Sequence, residues 1–255
     1  MTKTAIKVVS LTKDTARRAA FAERAKDACL EWSFFDALTS LHPDQTYDET
    51  RARVTKGRAL LPGELGCFGS HYALWLWLAG SDCEQLVVLE DDVAVDWRCL
   101  EQLVQLDFDA LQIPYLRLFA VRQPVFHKTI GRIGDLSLVR FLGYAYGTQG
   151  YIVTRSVVLS LLAMGRTVER PVDDVLDRTW AHGLANFCVV PFAVKELKTD
   201  STITDRPRVP EPIPEGLVGR RWRYQAVEKA RRAFFTAAEL AKLLVIPLRI
   251  IPLGS

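Results

Sequence analysis

The chain is poor in the features that mark several common protein classes. Its five cysteines (Cys29, Cys67, Cys83, Cys99 and Cys188) form no Cys-x-x-Cys pair and leave an odd one over, which speaks against a disulfide framework and for a reducing cytoplasm. The longest run free of acidic, basic and histidine residues, "FLGYAYGTQGYIVT", has 14 residues and three glycines, short of the roughly 20 apolar residues of a membrane span. The opening "MTKTAIKVVS" lacks the apolar stretch of a signal peptide. There is no Walker loop, no Gly-x-Ser-x-Gly elbow and no internal repeat. His42, His127 and His182 show no metal-ligand spacing, which argues against zinc.

What is present is the composition of a folded protein. With 49% apolar and 10% aromatic residues, 255 positions support one sizeable core and one main domain with an appendage. The net charge of +3 conceals an asymmetry, since residues 217–255 hold eight Lys/Arg against two Glu (+6) and the first 216 residues therefore carry −3. A basic tail on an acidic body points to an anionic surface as the partner of the tail.

Hydrophobic patterning predicts strands at "AIKVVSL" and "EWSFFDAL", with a helix between them over "TARRAAFAERAKDACL". "LPGELGCFGSHYALWLWLAG" reads as a second helix, with Pro62 at its start, Glu64 in its first turn and Gly80 at its C-cap. "EQLVVL", short and apolar on both faces, suits a central strand of a covered sheet. The alternation predicts an α/β sandwich whose sheet is mainly parallel, at least in its first half. "YLRLF", "RIGDLSLVRFL" and "GYIVT" are expected to extend it in antiparallel or mixed fashion, and "RSVVLSLLAMG" and "PVDDVLDRTWAHG" to be helices. "DRPRVPEPIPEG", four prolines in 12 residues, marks a linker at 205–216 between a domain at 1–204 and a tail at 217–255.

The stretch "LVVLEDDVAV" runs a core strand into Glu90, Asp91 and Asp92. In open α/β sheets ligands bind beyond the carboxyl ends of strands, which is where these acids stand. Crowded carboxylates repel one another unless a cation screens them, and Mg²⁺ or Mn²⁺ takes one or two carboxylates plus substrate phosphate oxygens. A solvated acidic turn is the alternative. "PVDD" places Asp173 and Asp174 at a helix N-terminus, where the dipole favours the ionised form and where capping is the alternative role.

Four segments, in order, resemble glycosyltransferase family 25, the lipooligosaccharide biosynthesis enzymes typified by bacterial β-1,4-galactosyltransferases. They are "VVSLTKDTARRAAF", "PGELGCFGSHYALW", "VVLEDDV", and "GTQGYIVTR" taken with "PVDDVL", and they cover about residues 5–204. The resemblance implies a GT-A nucleotide-sugar-binding fold, a UDP-sugar donor, most commonly UDP-galactose, and inversion at the anomeric carbon. It implies Mn²⁺ or Mg²⁺ held by Asp92 with help from Glu90 and Asp91. It also implies Asp174 as the base that takes the acceptor proton, with Asp173 on the donor sugar; the reverse order stays open. Donor contacts are expected from Ser10, Arg17, Arg18, Glu64, Ser70, His71, Thr148 and Gln149, although solvated arginines and satisfied core polar groups are equally available readings. The chain departs from the family pattern at Ser10, Thr12 and Gln149, positions that bear on donor contacts and sugar choice.

The tail, "RRWRYQAVEKARRAFFTAAELAKLLVIPLRIIPL", interleaves arginines with aromatic residues and ends in aliphatic runs. It reads as a basic amphipathic helix lying on an anionic membrane, or alternatively packing back on the domain. Nucleic acid fits less well, because the body is acidic. The function expected is transfer of a sugar to a hydroxyl of a lipid-linked or lipopolysaccharide acceptor at the inner face of the cell membrane. The alternative is a catalytically silent sugar-nucleotide-binding or scaffold protein of the same fold.

Overall fold

The computed structural model describes residues 2–122, 126–197 and 212–251. In chain order its elements are β1 (Thr4–Ser10), α1 (Thr15–Arg24), β2 (Ser33–Asp36), β3 (Thr46–Tyr47), α2 (Glu49–Lys56), α3 (Pro62–Gly80), β4 (Gln85–Glu90), β5 (Val93–Val95), α4 (Trp97–Val104) and β6 (Tyr115–Arg117). They continue with β7 (Phe126–Ile133), β8 (Leu136–Leu142), β9 (Gly150–Thr154), α5 (Arg155–Gly165), β10 (Thr167–Val168), α6 (Val172–Asp177), α7 (Thr179–His182), β11 (Asn186–Val190), β12 (Val194–Glu196), α8 (Glu215–Val245) and β13 (Arg249–Ile251).

Nine strands build the central sheet in the order β13-β7-β8-β11-β6-β9-β4-β1-β2. β1 runs parallel to β2 and to β4, as the strand–helix alternation predicts. Beyond β4 the sheet is mixed: β9 is antiparallel to β4 and β6, and β8 to β7 and β11, while β6–β11 and β7–β13 are parallel. The mainly parallel arrangement thus holds for the first half only. After β6 the chain returns through a hairpin, with Gly134 at φ +54°, so that "RIGDLSLVRFL" is the end of one strand, a turn and the next strand.

Helices cover both faces. Along β4, Val87 and Leu89 point to a core shared with Phe21 of α1 and Leu100 and Leu103 of α4, and Leu86 and Val88 to one shared with Trp75 of α3 and Val158 and Leu161 of α5. All four β4 residues are fully buried, each such apolar side chain contributing roughly 1.5–3 kcal/mol. The alternation follows from the two-residue period of a strand. α2 and α4 were not legible from periodicity, yet each is capped by an aspartate: Asp48 accepts from Arg51 N at 2.8 Å and Asp96 from Cys99 N at 3.0 Å. The helix expected over "PVDDVLDRTWAHG" is two, broken at Arg178 (φ −85°, ψ 59°). α3 lies close against the chain that leaves β2. A methyl on Gly66 would fall 2.7 Å from Leu38 O, and one on Gly69 would run into Ser40 O.

The proline-rich linker falls largely outside the described residues. α8 begins at Glu215 and docks one side along the body, with Arg221 Nη1 donating to Val54 O (3.0 Å), Glu228 paired with Arg178 (2.8 Å) and Glu239 with Arg140. Lys128 Nζ donates to Leu244 O (2.8 Å) and Ile246 O (2.9 Å) at its end, and β13 joins the sheet edge beside β7. Among the described residues no helix is long and apolar enough to cross a membrane.

Candidate active site

Parallel pairing sets Val9 of β1 opposite Glu90 of β4, so both strands end at the same edge and Ser10 meets the acidic triplet there. Asp91 is 6% exposed, and its two oxygens are engaged: Ser10 Oγ donates to Oδ2 at 2.6 Å, and Arg17 Nη2 pairs with Oδ1. Arg17 Nη2 also lies 3.1 Å from Asp92 Oδ2, and Arg24 Nη2 donates to Asp91 O at 2.9 Å. Two like charges about 4 Å apart at an effective dielectric of about 20 repel by roughly 4 kcal/mol. Within the chain, the arginines of α1 offset that repulsion. Arg18 faces elsewhere, donating to Ser10 O (2.8 Å) and Asp36 Oδ1 (2.6 Å), and so ties the exit of β1 to that of β2. Asp92 Oδ1 is buried without a hydrogen-bond partner.

Antiparallel pairing of β9 with β4 brings the segment before β9 to the same edge. Leu89 faces Gly150, Glu90 N donates to Gln149 O at 3.0 Å, and Thr148 Oγ1 donates to Glu90 Oε1 at 2.6 Å. Burial, reinforced by the Asp92 charge, pushes the Glu90 carboxyl up to about 7. The preceding loop is tightly wound, with Tyr146 at φ +57° and Gly147 at φ +86°, a region that residues with a Cβ rarely enter. Asp177 holds it there: Oδ2 accepts from Ala145 N (3.1 Å) and Tyr146 N (2.7 Å), while Oδ1 takes Arg117 Nη2 at 2.7 Å. Arg117 Nη1 donates in turn to Gly147 O at 2.6 Å. Burial lifts Asp177 to about 6 against the Arg117 charge and the two amides, leaving it the ionised partner at pH 7.

α6 gives its paired acids different surroundings. Asp174 is 3% exposed and meets Lys56 Nζ at 2.9 Å and Arg170 Nη1 at 3.2 Å. Asp173 is half-buried and accepts only amides, from Asp174 N at 2.8 Å and Gly147 N at 3.5 Å. Burial raises it above the ordinary aspartate value, with the Asp174 charge adding to the shift. Both acids line a cleft of about 560 Å³, together with Glu64, Glu90, Thr148 and Gln149.

The cleft thus gathers six of the expected residues, while Ser10, Arg17, Arg18, Asp91 and Asp92 form the adjoining cluster at the ends of β1 and β4. Glu64 is a partner of Arg58, whose Nη1 and Nη2 donate to it at 2.7 and 2.6 Å, and it also caps α3 by accepting from Leu61 N at 2.8 Å. Ser70 has protein partners, Leu38 N and Gly66 O, each at 2.8 Å. His71 is 1% exposed; its Nδ1 bonds Tyr151 OH at 2.8 Å, and burial lowers its basicity to about 4. Gln149 Nε2 donates to Glu196 Oε1 at 3.2 Å.

Residues that sequence reasoning passed over are Lys56, Arg58, Cys67 and Tyr146 on the cleft wall and the Arg117–Asp177 pair behind it. Only Asp177 carried a signal, as a third acid on the "PVDDVLD" turn. The glycosyltransferase family 25 (LPS biosynthesis protein) model matches residues 3–176. A Haemophilus influenzae protein described as a glycosyltransferase is 27% identical over 173 residues, 67% of this chain and 60% of that one. Procollagen galactosyltransferase 1 of Danio rerio is 35% identical over 130 residues, and the inactive glycosyltransferase 25 family member 3 of Homo sapiens 30% over 125. Each covers 47% of this chain, which spans only 20% and 21% of those longer proteins.

Proposed function

Because the chain belongs to glycosyltransferase family 25, we propose that it moves a sugar, galactose by preference, from a UDP donor to a hydroxyl of a lipid-linked or lipopolysaccharide acceptor, inverting the anomeric centre on a GT-A-type fold. The observation that carries the reading is the convergence of Glu90, Thr148, Gln149, Asp173 and Asp174 on one cleft beyond the sheet edge where β1 and β4 end.

A hard divalent cation fits part of the acidic triplet. Asp92 offers a buried oxygen with no partner, and Glu90 stands beside it, whereas Asp91 is already saturated by Ser10 and Arg17. Bound there, Mn²⁺ or Mg²⁺ would neutralise charge on the departing diphosphate. Arg17 already bridges the two aspartates and can add a guanidinium to the same phosphates. Asp91 and Arg18 are assigned to holding the β1 loop in place.

Direct displacement needs a carboxylate to take the acceptor proton. Lys56 and Arg170 occupy the Asp174 carboxylate, which supports giving the base role to Asp173 and a positioning role to Asp174, the reverse of the order first expected. A base is more effective as its pKa approaches the working pH, so burial of Asp173 favours this assignment. The outward side of α8 exposes Trp222, Phe234, Leu244 and Val245 among Arg220, Arg223 and Lys229. This pattern supports peripheral attachment to an anionic membrane at the inner face, with the inward side serving as the anchor on the domain.

The test is release of UDP from a panel of UDP-sugars by the full chain, with Mn²⁺ and after EDTA. Turnover of UDP-galactose that falls at least about 100-fold in EDTA and returns with Mn²⁺ is expected. Equal turnover in EDTA contradicts the metal; binding of UDP-sugars with no turnover under any condition favours the silent binding protein.

A further inference from the structure

We propose that Cys67, His71 and Glu90 form a binding site for a zinc-like cation on the floor of the cleft, next to the hard-cation position at Asp92 and sharing Glu90 with it. Among the described residues these three side chains make the one group of mixed sulfur, nitrogen and oxygen donors whose ligand atoms all lie within 4.8 Å of one another. Cys67 and His71 are four residues apart on α3 and so share a face of the helix, and Glu90 reaches them from the end of β4.

A second observation is independent of that clustering. His71 Nε2 is buried and makes no hydrogen bond, and it points toward the group, 3.9 Å from Glu90 Oε1. A buried polar atom left without a partner costs about 1–3 kcal/mol, and a cation accepting its lone pair removes that cost. The other ring nitrogen is fixed by Tyr151 OH at 2.8 Å, and Tyr151 OH is held in turn by Trp75 Nε1 at 3.2 Å. Metal-binding histidines are oriented by this kind of outer contact. Thr148, donating to Glu90 Oε1 at 2.6 Å, does the same for the carboxylate.

The donor set selects the ion. Thiolate and imidazole suit zinc, whereas magnesium and manganese prefer oxygen. Tetrahedral zinc with bonds of about 2.0–2.3 Å sets its ligand atoms roughly 3.4–3.7 Å apart, so side-chain rotations of about an ångström close the site. Cys67 and Glu90 both line the cleft, so the fourth position opens onto it and would take water or a ligand oxygen. Binding exchanges the S–H bond for an S–metal bond and releases the thiol proton to solvent.

The test is titration of the chelator-treated full chain with Co²⁺, read by thiolate-to-cobalt charge-transfer absorption, followed by displacement with Zn²⁺. One equivalent is expected, with the band lost in Cys67→Ser, kept in Cys29→Ser, and the affinity reduced at least about 100-fold in His71→Gln. In a second measurement on the unmodified chain, zinc should slow alkylation of Cys67, but not of Cys29, by at least about tenfold, as read by peptide mass; this arm does not depend on any variant folding. No charge-transfer band, a band unchanged in a folded Cys67→Ser, or alkylation of Cys67 at the same rate with and without zinc overturns the proposal.

Discussion

At Glu90 burial and like charge act in the same direction, and the result is a carboxyl that resists ionisation. Its value rises from 4.5 to about 7, with Asp92, Asp91 and Asp173 as the neighbouring charges and the Thr148 hydroxyl opposing them. Below about 4.5 the group is protonated folded and unfolded alike; as pH rises toward 7 the unfolded chain ionises first, so stability is lost through that window. With a quarter of the side chain exposed, the loss should be about 2–3 kcal/mol. In chelator, Glu90→Gln should therefore be more stable than the parent at pH 8 and no less stable at pH 5, as measured by urea unfolding. Asp177 contributes a slope of the same sign to both chains, so parallel pH profiles would contradict the account. The acidic triplet stood out in the sequence because three carboxylates directly follow an apolar strand. The division of labour within it did not: that Asp91 is pinned by Ser10 and Arg17 while Asp92 keeps an open oxygen depends on the register of β1 against β4.

The loop before β9 and the turn of α6 work as one element because Asp177 and Arg117 join them. Both are buried to 1% exposure or less, and the pair closes on two loop amides and two loop carbonyls. Removing one partner of such a pair leaves a buried charge unmatched, a loss of about 3–5 kcal/mol. Asp177→Asn should lower the urea midpoint accordingly and release Tyr146 from its positive φ, which would appear as faster amide exchange over 143–149. A loss below about 1 kcal/mol would mean that the pair is not what holds the loop. α3 could be read from sequence because Pro62, Glu64 and Gly80 punctuate it, and the core strands because they are short and apolar. α2 and α4 were missed although an aspartate caps each: α2 has only eight residues, too few to display a period, and α4 follows a strand with little intervening turn. The break at Arg178 has no proline or glycine to announce it.

At the scale of the whole molecule, the tail's docking on the domain and its proposed membrane attachment use different sides of α8, which mutation can separate. The inward side is part of the domain through Tyr224–Arg170, Glu228–Arg178 and β13, so deletion of 217–255 should yield an aggregating body. The membrane reading is therefore tested on the outward side. Replacing Arg220, Arg223 and Lys229 together by Glu should weaken sedimentation with anionic vesicles by at least about 100-fold, at roughly 1 kcal/mol per lost cation, with folding retained. Binding that is unchanged, or indifferent to salt, would assign the charge to another role. The charge asymmetry was plain in the sequence, but the docking was not, because amphipathicity does not distinguish a core from a membrane as the apolar partner. The claim on which the rest depends is that a cleft carboxylate performs sugar transfer, and Asp173→Asn tests it most directly through donor affinity and single-turnover transfer from UDP-galactose in Mn²⁺. The account predicts UDP-galactose binding within about threefold of the parent and transfer slowed at least about 100-fold. Normal transfer by Asp173→Asn would contradict it.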